Sequence, residues 1–306
     1  MSAEAPLAIT GGTGFVGKAV RRLAKENSIT LRALARKVPE DAIGVDWVEG
    51  DLANNAALAK LADGASAIIH IAGLTNTPDP AQFDAVNVEG TANVIAAAKA
   101  AYVSRFIFVS SLSARKPDLS QYGASKARAE ELVKASGLTW TIIRPPAVYG
   151  PHDIDMFELF RTAKWGIVPL PPGGTTSIIH VDDLARLVLA LTPSVPAVNK
   201  HMFEPDDGRE GGWSHKELGA AIGRAMRRRV FAPHLPRSVL ESAAKLDRAF
   251  RGKKAKLTQD RVGYMCHPNW VARFDRQVPA EIWQPRLVDE EGLRATAQWY
   301  RDNNWL

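Results

Sequence analysis

Cysteine is the scarcest residue in this chain: Cys266 stands alone among 306 residues. One thiol excludes an intrachain disulfide and a cysteine-built zinc site, and it suits a reducing compartment. Cys266-His267 has no companion ligands in the sequence around it, so no metal is expected. Long apolar runs are missing as well. None approaches the roughly 18 residues that cross a bilayer, and no charged-then-apolar leader opens the sequence. A cytoplasmic protein is expected, neither secreted nor membrane-spanning. An even spread of charge is also lacking. The net charge is +6, yet residues 224–256 hold eleven Lys/Arg against two acids, Glu241 and Asp247. The basicity is therefore local, and the rest of the chain is slightly acidic. No aromatic stacking platform accompanies the basic stretch, so nucleic acid is not an expected partner. The remaining composition is ordinary for a globular chain, long enough for one large domain or two joined ones.

What the sequence does have is glycine in one place. Thr10-Gly11-Gly12-Thr13-Gly14-Phe15-Val16-Gly17 follows an apolar run (Leu7, Ala8, Ile9) and precedes an alternation of apolar and basic residues. The pattern reads as strand, tight turn, helix. Gly12, Gly14 and Gly17 fit G-x-G-x-x-G, and Gly11, Gly14 and Gly17 fit G-x-x-G-x-x-G equally. One glycine permits a turn with positive φ. Another lets backbone N–H groups reach a pyrophosphate, and a third lets helix and strand pack closely. The helix then meets the phosphates with its positive end. A dinucleotide site is expected here.

A second strand is read over residues 29–35, and Arg36 follows 19 residues past Gly17. An NAD-binding unit usually has an acid near this point, accepting from the ribose 2′-OH. This chain offers Arg32, Arg36 and Lys37, which suit a 2′-phosphate, so NADP(H) is expected in preference to NAD(H). A third strand ends at Gly50-Asp51-Leu52. There Asp51 can accept from an adenine amino group or cap the following helix. Residues 67–72 form a fourth, nearly continuous apolar strand, as in a buried parallel sheet, and Gly73 after it permits close approach to a cofactor. A helix is read over residues 87–101 and a fifth strand over 105–110. This alternation predicts an α/β fold: a doubly wound parallel Rossmann sheet with ligands at the strand C-termini.

Ser110-Ser111-Leu112-Ser113 closes the fifth strand on that edge. Tyr122-Gly123-Ala124-Ser125-Lys126 follows and opens a helix, so Tyr122 and Lys126 share one face. A phenol titrates at roughly 10 in water. A nearby ammonium and a positively charged nicotinamide ring both favour its phenolate and lower that value. Such a phenol can exchange a proton with a carbonyl or alcohol while a nicotinamide exchanges hydride, and a serine hydroxyl can polarise the same oxygen.

Over nearly its whole length the chain resembles the extended short-chain dehydrogenase/reductases. The resemblance rests on the glycine turn, Gly50-Asp51, Asn87, Ser110-Ser111, the Tyr122/Lys126 pair, Arg144-Pro145, Tyr149-Gly150-Pro151 and His180-Val181-Asp182. The C-terminal Trp283-Gln284-Pro285, Asp289-Glu290-Glu291-Gly292-Leu293 and Trp299-Tyr300 also match that family's ending. The resemblance implies Tyr122 as acid/base, Lys126 as its partner and a ribose ligand, and Ser111 as the carbonyl-polarising hydroxyl, with Ser113 as a substitute. The cofactor contacts it implies begin in the turn, at Gly11, Thr13, Gly14, Phe15, Val16 and Gly17. They continue through Arg36, Lys37, Asp51 and Leu52 to Ala72, Gly73 and Asn87, and end at Lys126, Pro145 and Val148.

Departures from the family pattern narrow the reading. Ala147 stands where nucleotide-sugar enzymes of this family carry Asn, and Ser113-Ala114-Arg115 stands where their dehydratases carry Thr-Asp-Glu. Simple carbonyl/alcohol redox is expected instead. Residues 238–251 place Val239, Ala243, Leu246 and Phe250 on one helical face, ringed by Arg237, Lys245, Arg248 and Arg251. Arg227, Arg228, Arg229, Lys253, Lys254 and Lys256 flank that helix. A basic amphipathic helix in what would be the substrate lid suits an anionic membrane surface. The chain looks most like the branch that includes the complex I 39–40 kDa-type subunit, near bacterial 3-oxo-sphingolipid (3-oxo-ceramide, or ceramide) reductases. A lipid ketone is therefore the expected substrate, for a protein peripheral on the inner membrane face, monomeric or homodimeric. A non-catalytic NADP(H)-binding assembly subunit and an epimerase working through a transient ketone are the alternatives. A Rossmann unit of residues 1–150 and 175–191 is expected, with a smaller substrate lobe of 151–174 and 192–306. Asp182 is read as a helix N-cap, His180 as fold support, His152-Asp153 as loop, Asp206-Asp207-Gly208-Arg209 as a polar loop, and the tryptophans as core and lid packing.

Overall fold

The computed structural model describes residues 5–40, 44–252 and 255–306. Lys253 and Lys254 of the basic stretch lie outside the described residues. The chain runs β1 (Leu7–Thr10), α1 (Phe15–Glu26), β2 (Leu31–Ala35), β3 (Val45–Glu49), α2 (Asn55–Ala62) and β4 (Ala67–His70). A long helical passage follows, made of α3 (Ala81–Phe83), a π-helical segment (Asp84–Glu89) and α4 (Gly90–Ala100). Next come β5 (Arg105–Val109), α5 (Gln121–Ala135), β6 (Thr139–Ile143), β7 (Ala147–Tyr149) and α6 (Phe157–Ala163). β8 (Thr175–Thr176), β9 (Ile178–His180), α7 (Val181–Ala190), β10 (His201–Phe203) and β11 (Trp213–Ser214) lead to α8 (His215–Ala225) and α9 (Arg237–Arg251). α10 (Gln259–Met265), β12 (Asn269–Trp270) and α11 (Glu291–Asp302) complete it.

The main sheet is wholly parallel, in the order β10-β6-β5-β4-β1-β2-β3. Its central strands are buried on both faces, which is why they read as unbroken apolar runs. Alternate side chains serve opposite cores. Leu7, Ile9, Ile69 and Ile107 pack with Val20 of α1 and Leu184 of α7. Ala8, Ile68, Phe106 and Phe108 pack with Leu58 of α2, Val94 of α4 and Val133 of α5. A third core, with Phe160, Trp213, Ile222, Leu293 and Tyr300, belongs to the smaller lobe, where β11, β8 and β12 form a short sheet.

Two placements differ from the sequence reading. β9 pairs with β7 and not with the main sheet, while α7 behind it packs across α1. The seventh strand of the main sheet is β10, in a region read as part of the smaller lobe. His201-Met202-Phe203 is too short and too mixed to announce a strand. It is recruited because β6 would otherwise be an open edge, and Arg144 N–H donates to Phe203 O at 2.8 Å. The apolar face of α9 is a third difference. The helix buries Leu240 and Ala244, and leaves Val239, Leu246 and Phe250 in solvent.

Candidate active site

The glycine turn links β1 to α1 at the centre of the sheet, where strand order reverses between β1 and β4. Gly11 has φ +77°, and a Cβ there would lie 2.6 Å from Ala72 N. A Cβ on Gly17 would lie 2.1 Å from Gly11 O, so glycine is demanded by packing at both. Gly14 differs: a Cβ there would meet only Gly11 O, at 3.4 Å, and its outer side is open with exposed Thr13. Lys18 N–H donates to Gly14 O, but the amides of Phe15, Val16 and Gly17 find no acceptor among the described residues. Uncapped donors at the positive end of a twelve-residue helix, beside a cradle with no side chain, fit a pyrophosphate.

Beyond β2, Arg36 and Lys37 are exposed and free of acidic partners among the described residues. Arg32 is not available to a ligand. Its guanidinium is held by Asp46 at 2.6 Å and by the carbonyls of Lys60 and Asp63. Asp51 accepts from Ala53 N–H at 3.0 Å, and Asn54 caps α2, so the capping role considered for Asp51 falls to its neighbour. Leu52 packs against the Gly90 backbone, with its Cδ1 2.7 Å from where a Cβ would stand.

Around β4 the structure supplies a device the sequence reading missed. His70 is fully buried, with Nδ1 2.6 Å from Thr10 Oγ1 and Nε2 2.9 Å from Thr91 Oγ1. The proton directions follow from the outer partners. Thr91 donates to Asn87 O, so it accepts from His70 Nε2–H. Thr10 Oγ1 accepts from Ala72 N–H, so its proton goes to Nδ1. Burial, with Lys126 nearby, pushes the imidazole down to about 3 and keeps it neutral. The chain of bonds joins β1, the Ala72 backbone and the π-helical segment that carries Asn87. Asn87 in turn accepts from Leu74 N–H at 2.7 Å and donates to Leu74 O and Ser125 Oγ. The position a Cβ on Gly73 would take is 3.1 Å from Asn87 Oδ1 and 3.7 Å from Lys126 Nζ. Gly73, Asn87 and Lys126, all read as cofactor contacts, thus converge. A polar residue ending an otherwise apolar strand was the available signal for His70.

Ser120 caps α5 by accepting from Gly123 N–H, which fixes where Tyr122 and Lys126 start. Tyr122 is buried and lies between the rings of Phe83 and Tyr264, with centroids 6.0 and 6.1 Å away. Burial raises its pKa, and a hydrogen bond with the Ser111 hydroxyl only partly opposes this. In the chain without a nicotinamide, burial therefore outweighs any lowering by Lys126, and Tyr122 is held as a phenol. Lys126 donates to Val109 O at 2.9 Å and sits over the Phe108 ring, and burial pushes it down to about 8. Ser111 Oγ accepts from Ser113 N–H at 3.1 Å, so Ser113 enters the turn through its backbone and the Ser111 hydroxyl keeps its own proton to donate. Ser110 is occupied elsewhere, donating to buried Glu130. Pro145 is buried and its carbonyl accepts from Leu112 N–H, holding the serine turn, while Val148 packs beside it on β7.

Helix α10 closes over this centre. The Asp260 carboxylate accepts from Gln121 N–H at 2.5 Å and from Tyr122 N–H at 3.3 Å, the first amides of α5. A Cβ on Gly263 would lie 2.2 Å from Leu119 O, so α10 lies directly on the chain before α5. Asn76 donates to Ala255 O and accepts from Thr258, tying the lid to the loop after β4.

Several secondary readings change. His180, not Asp182, caps α7, through Nδ1 accepting from Asp182 N–H, and Asp182 pairs with Arg22 at 2.6 Å. Asp206-Asp207-Gly208-Arg209 is a loop as read, but Asp206 and Asp207 in it are buried acceptors for Ser177 and Trp213. Asp153 is buried, caps the turn into α6 by accepting from Asp155 and Met156 amides, and is pushed up to about 7. Trp213 is core, but Trp165 is 80% exposed.

Residues 11–191 match the family of NAD(P)H-binding domains. A ceramide reductase of Caulobacter vibrioides is 33% identical, over 99% of this chain and 97% of that protein. A 2-alkyl-3-oxoalkanoate reductase of Stenotrophomonas maltophilia is 28% identical over 94% of this chain and 96% of its own. The solved structure of MoeE5 in complex with UDP-glucose and NAD superimposes with a TM-score of 0.76 at 22% identity, covering 98% of this chain and 99% of that one. That last likeness is one of fold.

Proposed function

The chain belongs to the NAD(P)H-binding extended short-chain dehydrogenase/reductases, and from that premise we propose that it reduces the ketone of a lipid such as a 3-oxo-sphingolipid or 3-oxo-ceramide with NADPH. The carrying observation is the burial of Tyr122 against Phe83 and Tyr264 on the helix that also buries Lys126 beside Gly73 and Asn87. The names of the two reductase relatives, both acting on lipid-like oxo compounds or their products, support the substrate class.

When bound, the cofactor supplies the hydride. The turn amides would hold its pyrophosphate, and Arg36 with Lys37 its 2′-phosphate. Asn87 and Lys126 stand where ribose and nicotinamide would be gripped. Tyr122, kept protonated by burial, delivers its proton to the carbonyl oxygen as the alcohol forms. Ser111 already accepts from Ser113 N–H, so its own proton is free to point at the same oxygen. Lys126 stabilises the phenolate that Tyr122 becomes. Phe83, Tyr264 and the α10 lid exclude water. Arg115 stands where a dehydratase of this family needs its extra acid, and it is bound to Glu204 and Val271 O. The protein would work on the cytoplasmic side of a membrane, with residues 224–256 toward the surface.

The test is absorbance of reduced nicotinamide with 3-oxo-sphinganine and 3-oxo-ceramide. Oxidation dependent on a lipid ketone, and lost in Tyr122→Phe, is expected. Firm NADPH binding with no turnover on any ketone would overturn the reading in favour of a non-catalytic NADP(H)-binding subunit. Retained cofactor with a configurational change and no net redox would favour an epimerase.

A further inference from the structure

Away from the site, two segments meet in a short parallel ladder. Phe231 N–H donates to Gly166 O at 2.8 Å and Val168 N–H donates to Phe231 O at 2.9 Å, and Ile167 and Phe231 are bridge partners. The ladder turns Val168 and Leu170 fully into the core of the smaller lobe. It turns Ile167 and Phe231 outward, 49% and 71% exposed, beside Trp165 at 80%. Hydrogen bonding fixes this outward face, so these side chains cannot be buried without breaking the ladder. Directly against them is a basin of about 490 Å³ lined by Lys164, Trp165, Gly166, Arg228 and Arg229. Among the described residues, Lys164, Arg228 and Arg229 have no acidic partner. Arg227, first of the triplet, lines a second cleft of about 250 Å³ with Arg224, Arg294 and Arg301, where Glu290 pairs with Arg224 and Arg294.

We propose that the face formed by Lys164, Trp165, Ile167, Arg228, Arg229 and Phe231 docks on an anionic lipid bilayer. An exposed tryptophan and phenylalanine beside three cations with no acidic partner among the described residues match an interface with acyl chains below and phosphates above. Charge complementarity selects an anionic surface. Ile167 selects lipid over nucleic acid, because an aliphatic side chain gains nothing from stacking on a base but gains from acyl contact. The chain leaves Phe231 and soon enters α9, whose exposed Val239, Leu246 and Phe250 continue the apolar supply. α9 packs on α10, which carries Tyr264 to the catalytic tyrosine. Docking here would therefore bring the lid of the candidate site to the bilayer. The docking does not depend on the chemistry at Tyr122 and is measured without substrate.

The experiment is co-sedimentation of the full chain with phosphatidylcholine vesicles, with and without phosphatidylglycerol. Binding that requires phosphatidylglycerol and weakens with salt is expected. Arg228→Glu with Arg229→Glu should weaken it at least tenfold, and Trp165→Ser with Phe231→Ser roughly tenfold. NADPH binding by each variant reports that the fold is intact. The proposal is overturned if folded variants bind vesicles as the parent does. It is also overturned if the variants lose self-association or RNA binding while vesicle binding is absent in the parent. Loss of vesicle binding leaves the reductase assignment standing, and loss of turnover leaves the docking standing.

Discussion

At the scale of single residues, His70 shows how a site is held without touching a ligand. Its imidazole is pushed down to about 3 in the fold, against 6.5 when free. A histidine with a depressed folded pKa contributes stability that is complete above pH 6.5 and is lost as pH falls toward 3. His70→Asn should be less stable at neutral pH by about 2–4 kcal/mol, read as a lower melting temperature, since Thr10 and Thr91 each lose a partner. It should also flatten the fall in melting temperature between pH 7 and pH 4. Parallel curves for parent and variant would refute the role. Tyr122→Phe should reduce turnover by about 10²–10⁴-fold, and Ser111→Ala by about 10²–10³-fold, with NADPH binding retained in both. For Arg36→Ala with Lys37→Ala the readout is the ratio of NADPH to NADH affinity. It should fall about ten- to a hundredfold, because in the proposed reading only the 2′-phosphate would use those cations.

At the scale of elements, the glycine turn separates two demands that a sequence motif merges. Gly17→Ala puts a Cβ on the Gly11 carbonyl and should cost about 1–3 kcal/mol or more of stability. Gly14→Ala meets nothing closer than 3.4 Å, so it should fold normally and lose NADPH binding. Thermal melting and cofactor titration of the two variants make the comparison, and equal melting temperatures would contradict it. The lid gives the second element-scale prediction. Asp260→Ala removes the carboxylate that accepts from the first amides of α5. Loss of such a cap costs about 1 kcal/mol. The expected result is a KM several-fold higher with a smaller change in kcat, because closure is weakened and the reacting groups remain.

At the scale of the whole molecule, local charge and local patterning meet different fates. The excess of cations in residues 224–256 was plain in composition. Its geometry was not, because α9 buries a different face from its most regular apolar spacing. Trp165 carried no signal of its own among eight tryptophans. It became informative only when the ladder placed it beside Phe231 and Arg228. β10 likewise had no pattern, and the open edge of β6 decided its pairing.

The sequence by itself determined the parallel sheet, the glycine turn and the tyrosine–lysine spacing, because each is written in local periodicity or in residues a few positions apart. It also excluded an acid where a ribose diol would need one. Tertiary structure alone decided that His70 bridges β1 to Asn87 and that Asp260 reaches the start of α5. It decided too that Tyr122 is held protonated and Lys126 softened. Those outcomes depend on burial and on partners tens of residues away, and desolvation does not exist until the chain has closed around a group.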